Sequence, residues 1–218
     1  MNGAKPRNKL DQQEKEKIVH KRAPTDFPIH DFIAERWSPR AFSDKSVAPE
    51  VLASLFEAAR WAPSSSNDQP WAYIAATKED PENFANLASV LVPANASWAK
   101  NAPVLALAVA QLNFAKTGKP NRNAQYDVGA ASAWLTVEAA SRGLFVHQMA
   151  GYEADKARQV FEIPAGWEPI AAIAIGYPGE ADSLPEHIRE REHAPRMRKS
   201  LSSFVMTGKW GQKAPFVP

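Results

Sequence analysis

The sequence reads PVLALAVA at residues 103–110, and this stretch decides the class of fold. Consecutive residues without a single polar side chain are typical of a strand that is buried on both faces. A second run of the same kind, PIAAIAI, stands at residues 169–175. Two such strands need apolar cover on both sides, so the chain must also supply helices that pack on a central sheet.

Helical patterns surround these two strands. Residues 126–140 predict a long helix, since Ala is frequent and Val128, Ala131 and Leu135 share one side. A second helix is predicted to begin at Pro49, which suits a first helical turn, and to carry an apolar stripe as far as Ala59. Further helices are predicted from Pro28 to just before Ser38, at 84–91 and at 155–161, and further strands at 71–77 and 144–147. Helices and buried strands therefore alternate, which is typical of the α/β and α+β classes.

The composition sets outer limits on the kind of protein. A length of 218 residues is typical of one domain or a compact pair. The chain contains no Cys, which excludes disulfides, thiolate metal sites and cysteine nucleophiles, and favours a reducing, cytoplasmic setting. The longest uncharged run, residues 83–99, is interrupted by Pro93, so no membrane span is predicted. The N-terminus lacks the apolar core of a signal peptide.

The positive charge is concentrated at the N-terminus. The formal net charge is +2, and the first 24 residues hold seven of the 26 Lys and Arg but only three of the 24 Asp and Glu. The rest of the chain is therefore slightly negative, which argues against a nucleic-acid-binding module. Residues 1–25 are predicted to form a flexible basic tail, and residues 26–218 a single domain.

Several catalytic signatures are missing from the sequence. There is no G-x-G-x-x-G, no P-loop and no G-x-S-x-G. His187 and His193 stand six residues apart rather than four, so the run around them is interpreted as a solvated charged face and not as a metal site. His147 lies on a short apolar strand and is interpreted as a structural histidine. No metal site is predicted.

Three polar segments are candidates for binding. Pro39 favours extended backbone, so Arg36, Ser38 and Arg40 would share one side of the segment and could bind a phosphate. The alternative is that they are two surface arginines and a turn serine. The loop PSSSNDQP at 63–70 offers hydroxyls and amides for a polar heterocycle, or is a hydrophilic connector. The run RMRK at 196–199 is a second basic group that could join the same phosphate, or a solvated charge run.

These segments, in this order, resemble the nitroreductase family of FMN-dependent oxidoreductases. The resemblance covers about residues 27–207, and its most specific part is the string P-S-S-x-N-x-Q-P-W within residues 63–71. The other matching segments are ERWSPRAF at 35–42, AARWA at 58–62, DVGAA at 127–131, GL at 143–144, MAGY at 149–152, IGYP at 175–178 and RMRK at 196–199.

The resemblance implies an α+β fold with a central, mainly antiparallel sheet wrapped by helices. It also implies an interlocked homodimer with two FMN sites at the subunit interface, and a C-terminal arm with Phe204, Val205 and Trp210 that packs on the partner. The implied cofactor-binding residues fall into four groups. They are Arg36, Ser38 and Arg40 at the phosphate and pyrimidine side; Arg196 and Arg198 at the phosphate; Pro63, Ser64, Ser65, Asn67 and Gln69 from the partner subunit; and Met149, Ala150 and Gly151 along the edge of the ring.

Three features depart from the family pattern. Ala150 stands where many members carry an acidic residue. A further Asn or Lys contact of the family matches Asn95 or Ser97 only loosely. Residues 113–123 form an insertion where the family varies its substrate lid, so the resemblance does not carry a substrate preference.

The function implied is the transfer of a hydride from NADH or NADPH through FMN to an electron-poor acceptor such as a nitroaromatic or a quinone, in a ping-pong mechanism. The reacting group is then the cofactor, and no catalytic side chain is predicted. A specialised flavin enzyme is an alternative, with dehalogenation, reduction of an unsaturated bond or flavin fragmentation as its reaction. A flavin carrier or sensor without turnover is another.

Overall fold

A four-stranded antiparallel sheet forms the centre of the fold in the computed structural model, which describes residues 18–218. The strand order is β1-β2-β4-β3, and every neighbouring pair is antiparallel. The strands are β1 (Trp71–Thr77), β2 (Val104–Gln111), β3 (Phe145–Met149) and β4 (Trp167–Gly176). The expected α+β class with a mainly antiparallel sheet is confirmed.

The two apolar runs occupy the centre of this sheet. Seven of the eight residues of β2 are buried, because its neighbours β1 and β4 cover both edges and helices cover both faces. Successive side chains of a strand point to opposite faces. Leu105 and Leu107 therefore belong to one hydrophobic core, while Val104 and Ala106 belong to a second core across the sheet.

Helices cover each face. The second core is closed by the helix Pro49–Arg60 and the long helix Ala124–Ser141, which pack on each other. The first core is closed by shorter helices, which are Pro81–Ser89, Pro93–Ala99, Ala154–Val160 and Glu186–His193. A further short helix, Asp31–Glu35, lies near the start of the described residues. Three helices begin with Pro, whose fixed φ and missing N–H suit the first helical position.

Three elements differ from the sequence-based expectation. The helix Pro93–Ala99 was not predicted, because seven residues with only Trp98 and Ala99 buried present no apolar stripe. The charged run at 186–193 is helical. The helix expected from Pro28 is only Asp31–Glu35, and its neighbour Ile29 is exposed rather than part of a core.

Lys21 and Ala23, which lie within the predicted tail, contact the folded part of the described chain. The backbone N–H of Ala23 donates to the carbonyl of Ala34 at 2.8 Å, and the carbonyl of Lys21 accepts from Arg196 at 2.8 Å. Lys21 also places its ammonium 4.6 Å from the centre of the Trp37 ring. Residues 1–17, most of the predicted tail, lie outside the described residues.

The C-terminal segment folds back on itself. Met206 bridges to Lys213, and the N–H of Ala214 donates to the carbonyl of Val205 at 3.1 Å. Trp210 stands at the tip of this turn with 93% of its surface exposed, and Phe204 is exposed as well. The role of this segment as an arm on a partner subunit stays a prediction.

Candidate functional site

An arginine cluster forms where the start and the end of the chain meet, and it consists of Arg36, Arg196 and Arg198. Arg36 is half-buried, and its Nη1 lies 3.3 Å from the hydroxyl of Ser38. Burial lowers the pKa of the Arg36 guanidinium, and the charges of Arg196 and Arg198 lower it further. Within residues 18–218, no acidic side chain forms an ion pair with these three arginines. The cluster is therefore a concentration of positive charge without a counter-charge from the described chain.

Arg196 is fixed in place by backbone carbonyls. Its Nη1 donates to the carbonyl of Ala34 at 2.7 Å and to that of Lys21 at 2.8 Å. Ala34 lies in the last turn of the helix Asp31–Glu35, where a cation is favoured by the partial negative charge of the helix end. Arg198 is exposed, and its Nη1 donates only to the carbonyl of Met197 within the described chain.

The three arginines of the cluster line a cleft of about 980 Å³, together with Asp26 and Lys199. The body of the cleft is mostly apolar. Its apolar lining includes Phe27, Ile29, Ile33, Leu201 and Phe204. Ile29 and Ile33 are both exposed side chains that line this cleft. Arginines beside an apolar lining suit a ligand that combines an anion with an apolar part.

Arg40, which was predicted to share a side with Arg36 and Ser38, has Trp98 as a neighbour. Its guanidinium carbon lies 5.9 Å from the centre of the Trp98 ring. Burial lowers the pKa of Arg40, and the charge of Glu192 opposes this effect. The predicted segment thus brings Arg36 and Ser38 together, and directs Arg40 toward Trp98.

Glu192 holds the backbone of this segment and was missed by the sequence analysis. Its carboxylate is 1% exposed and accepts from the N–H of Arg40 at 2.9 Å and from that of Ala41 at 3.0 Å. The interpretation of residues 187–193 as a solvated face is correct for His187 and His193 and wrong for Glu192. The sequence carries one sign that Glu192 is buried. It stands four residues after the apolar Ile188, and residues i and i+4 share one side of a helix.

His147 supports the same segment from the sheet. Its Nδ1 donates to the carbonyl of Pro39 at 2.8 Å, and its ring lies 4.6 Å from that of Trp98. Burial lowers the pKa of His147 to about 4; the hydrogen bond to Pro39 opposes this shift, while the charges of Arg40 and Arg36 add to it. The ring is therefore neutral near pH 7, with the proton on Nδ1, as suits a structural histidine.

We expect the free energy of unfolding to fall less between pH 7 and pH 4 in the His147→Gln variant than in the wild type. The unfolded chain binds a proton at His147 below about pH 6.5, whereas the folded protein binds one only below about pH 4. Stability is therefore lost as the pH falls through this window, by about 3 kcal/mol from this group. Urea unfolding at pH 7, 5.5 and 4 should show this loss in the wild type and a smaller one in the variant. Parallel profiles for the two proteins would contradict the assignment.

The loop at 63–70 has an unusual backbone. Ser66, Asn67 and Gln69 adopt φ values of 56°, 55° and 53°, in the left-handed region that non-glycine residues rarely enter. The hydroxyl of Ser64 accepts from the N–H of Gln69 at 3.0 Å, and the side chain of Gln69 donates to the carbonyl of Asn67 at 3.1 Å. Strain of this kind costs about 1–3 kcal/mol per residue and is concentrated at ligand sites.

A buried carboxylate anchors this loop to the long helix. Asp127 is 3% exposed, and its Oδ2 accepts from the N–H of Ser65 at 3.0 Å. The loop is thus held at its start by Ser65 and continues directly into β1. Pro63, Asn67 and Gln69 remain exposed.

The third predicted group lies at the end of β3. Met149 is buried, Ala150 is exposed, and the carbonyl of Gly151 accepts from the Asn95 side chain at 3.0 Å. A Cβ at Gly151 would come within 2.5 Å of Asn95 Nδ2 and 2.9 Å of Val92 Cγ2, so any other residue here would have to displace these two side chains. Of the two loose matches, Asn95 lies beside this segment, while the Ser97 hydroxyl donates to the carbonyl of Ala94.

Within one chain, the two groups predicted to border the flavin ring, the loop at 63–70 and residues 149–151, lie at opposite edges of the sheet. The loop at 63–70 leads into β1, and Met149 ends β3, which is at the opposite edge of the sheet. Three interstrand spacings separate these edges, about 14 Å. The arginine cluster lies near β3, since Arg36 influences His147 on that strand.

The long helix exposes a second apolar side. Its inner side packs on the sheet through Val128, Leu135 and their neighbours. The opposite side presents Tyr126, Trp134 and Val137, with exposed fractions of 80%, 48% and 37%. A helix that is apolar all round is normally buried all round.

Two kinds of feature are absent from residues 18–218, a membrane-spanning helix and a cluster of metal ligands. No helix in this range is long and apolar enough to cross a membrane. No group of three or more His, Asp and Glu residues in the same range could hold a metal ion.

Comparison with known proteins matches the sequence to one protein family. The sequence model of the Nitroreductase family matches residues 33–177. A solved structure described as an oxidoreductase containing FMN superposes with a TM-score of 0.82 at 33% identity, and the match covers 88% of this chain and 97% of that one.

Two curated relatives have named activities. A nitrobenzene nitroreductase of Ectopseudomonas oleovorans is 40% identical over 65 residues, which is 30% of this chain and 29% of that protein. An iodotyrosine deiodinase of Haliscomenobacter hydrossis is 25% identical over 210 residues, which covers 84% of this chain and 92% of that protein.

Proposed function

The chain belongs to the nitroreductase family, and from that premise we propose that it is an FMN-dependent oxidoreductase. Its electron donor is NADH or NADPH, and its acceptor is an electron-poor molecule such as a nitroaromatic or a quinone. The observation that carries the proposal is the arginine cluster, whose charge has no acidic partner within residues 18–218.

The residues at the cluster fit the phosphate of FMN. Arg36 and Arg198 have donors available for a dianion, and guanidinium groups meet phosphate in a bidentate manner. Ser38 adds a hydroxyl beside Arg36. The sequence contains no glycine-rich loop for a pyrophosphate, so FMN fits better than FAD.

The ring of FMN would be held by two subunits. Met149, Ala150 and Gly151 would border it from the subunit that holds the phosphate. Pro63, Ser64, Ser65, Asn67 and Gln69 would reach it from the partner. The separation of these groups on opposite sheet edges supports this division. The exposed apolar side of the long helix supplies a surface on which a second copy can pack.

In the proposed mechanism the protein binds and positions the reactants, and the cofactor supplies the chemistry. When bound, FMN supplies the hydride chemistry, accepting from the nicotinamide and giving to the acceptor. The strained loop presents its polar groups in one fixed conformation, so little reorganisation is needed when the acceptor binds. His147 is neutral and its Nδ1–H donates a hydrogen bond to the carbonyl of Pro39, so it is not a proton donor for the reaction. We expect His147→Gln to lower turnover by clearly less than the roughly 10²–10⁴-fold of a lost general acid.

The proposal is tested with the purified protein. Chromatography of the released cofactor should give FMN; mainly FAD would contradict the phosphate site. NADPH or NADH should bleach the flavin absorbance, and a quinone should restore it, which a carrier or sensor would not do. Initial rates at several fixed acceptor concentrations should give parallel lines, because both substrates use one site in turn. Intersecting lines would refute the shared site.

Reductive dehalogenation is a second candidate. The similarity to the iodotyrosine deiodinase extends over 84% of this chain, whereas the similarity to the nitrobenzene nitroreductase covers 30%. The two reactions are distinguished by comparing kcat/KM for nitrobenzene and for iodotyrosine in the same preparation. A higher value for iodotyrosine would favour the second candidate.

Replacing Arg36 with Ala should weaken FMN binding by about 1.5–3 kcal/mol, the scale of a charge-assisted hydrogen bond. Arg198→Ala should act in the same direction but less, because Arg198 is more exposed. The dissociation constant is measured by quenching of FMN fluorescence. Arg189→Ala is the control, because Arg189 pairs with Asp182 and does not line the cleft beside the cluster. Equal affinities for the Arg36 variant and the control would refute the phosphate assignment.

A further inference from the structure

A small hairpin follows β2, at residues 113–120. Asn113 bridges to Pro120, and the N–H of Phe114 donates to the carbonyl of Lys119 at 2.9 Å. The base of the hairpin is anchored, since the N–H of Leu112 donates to Gly166 and that of Asn121 donates to Leu112. The tip itself is exposed.

A single hydrogen bond ties this tip to the rest of the described chain. The carboxylate Oδ1 of Asp68 accepts from the N–H of Ala115 at 3.1 Å. Among residues 18–218, no other hydrogen bond leads from residues 114–119 to a residue outside the hairpin. Asp68 belongs to the loop at 63–70 and stands between Asn67 and Gln69, both of which are left-handed. The direction of its carboxylate is therefore set by a backbone with little freedom.

The second oxygen of this carboxylate is not explained by the fold. Asp68 Oδ2 lies below the surface and accepts no hydrogen bond from the described residues. A buried acceptor without a partner destabilises a protein, so an acid at this position is unfavourable for stability alone. The contact with Ala115 is the structural reason for an acid here.

We propose that Asp68 is a positioning residue that fixes the hairpin 113–120 on the loop 63–70, so that both reach the acceptor site as one rigid unit. This rests on the proposed function, in which the loop borders the FMN ring. The tip carries Lys116 and Lys119, both exposed. With the tip held at the rim of the site, these ammonium groups favour an aromatic acceptor that bears a carboxylate.

The test compares Asp68→Ala with Asp68→Asn in the FMN-bound protein. Asparagine keeps an oxygen for the N–H of Ala115, whereas alanine does not. Asp44→Ala serves as the control, because Asp44 is an exposed aspartate outside both segments. Hydrogen exchange at the Ala115 amide should be about tenfold faster in Asp68→Ala than in the wild type, and near the wild-type rate in Asp68→Asn and the control.

The kinetic readout uses 4-nitrobenzoate and nitrobenzene as acceptors. In Asp68→Ala we expect the KM for 4-nitrobenzoate to rise about fivefold, with kcat and the KM for nitrobenzene changed less than about twofold. If the alanine variant does not fold, a Lys116→Ala, Lys119→Ala double variant should show the same selective rise.

Two results would overturn the inference. Unchanged exchange at Ala115 in Asp68→Ala would show that the carboxylate does not hold the hairpin. Faster exchange with an unchanged ratio of the two KM values would show that the hairpin does not border the acceptor. Failure of the proposed function looks different: the wild type would hold no FMN and reduce neither acceptor, while the exchange comparison would still decide the Asp68 contact.

Discussion

Ala133→Glu should convert the protein into a 24.0 kDa monomer that retains little FMN. Ala133 lies on the exposed side of the long helix, next to Trp134 and between Tyr126 and Val137. In a two-fold symmetric dimer each residue of the interface occurs twice, so one substitution buries two carboxylates. An unpaired charge in an apolar interface costs several kcal/mol. In the proposed site each ring takes contacts from both subunits, so loss of the dimer should also release the cofactor.

Light scattering during gel filtration gives the mass, and absorbance near the flavin bands gives the FMN content of the same peak. Ala133→Ser is the matched control, since it adds a small polar group without charge, and it should remain dimeric. A dimer that keeps its FMN with Glu at position 133 would show that this side of the helix is not the interface. A monomeric wild type that keeps FMN would contradict the proposed division of the site.

Glu192→Ala should lower the free energy of unfolding by about 3–5 kcal/mol. The change leaves the N–H groups of Arg40 and Ala41 without their acceptor, and an unpartnered buried donor costs about 1–3 kcal/mol. It also opens a cavity where a fully buried side chain stood. For a chain of this length the expected fall in Tm is roughly 6–20 °C. FMN binding should weaken too, since the released segment carries Arg36 and Ser38.

Thermal unfolding at a fixed protein concentration measures this effect. Glu190→Ala is the control from the same helix, because Glu190 is exposed and its loss should change stability by less than about 0.5 kcal/mol. Glu192→Gln keeps one acceptor oxygen and should fall between the two. A Tm for Glu192→Ala within 2 °C of the control would mean that the segment is held by other contacts.

The sheet and its main helices were accessible from the sequence because their signals are local. The apolar runs at 103–110 and 169–175 are β2 and β4, within one or two residues at each end. The long helix was recognised from its Ala-rich periodicity, and the helix at Pro49 from its first turn. Each of these elements is long enough for its apolar pattern to dominate over chance.

The contacts that shape the candidate site were less accessible, because they join residues far apart in the chain. Glu192 binds the backbone of Arg40 and Ala41, and backbone partners leave no trace in side-chain patterns. Asp68 likewise binds the N–H of Ala115, whose side chain is not involved. The motif around Arg36 and Ser38 was found because its spacing places both on one side of an extended segment.

The left-handed backbone of the loop at 63–70 bears on how this sequence would respond to selection. Glycine adopts a φ near +56° without the steric penalty of about 1–2 kcal/mol that Ser66 carries. Selection for thermal stability alone would therefore favour glycine at residue 66. Glycine would also let the loop explore other conformations and blur the surface it presents. Serine at this position keeps the loop more sharply defined than glycine would, so stability engineering is better directed to sites away from it.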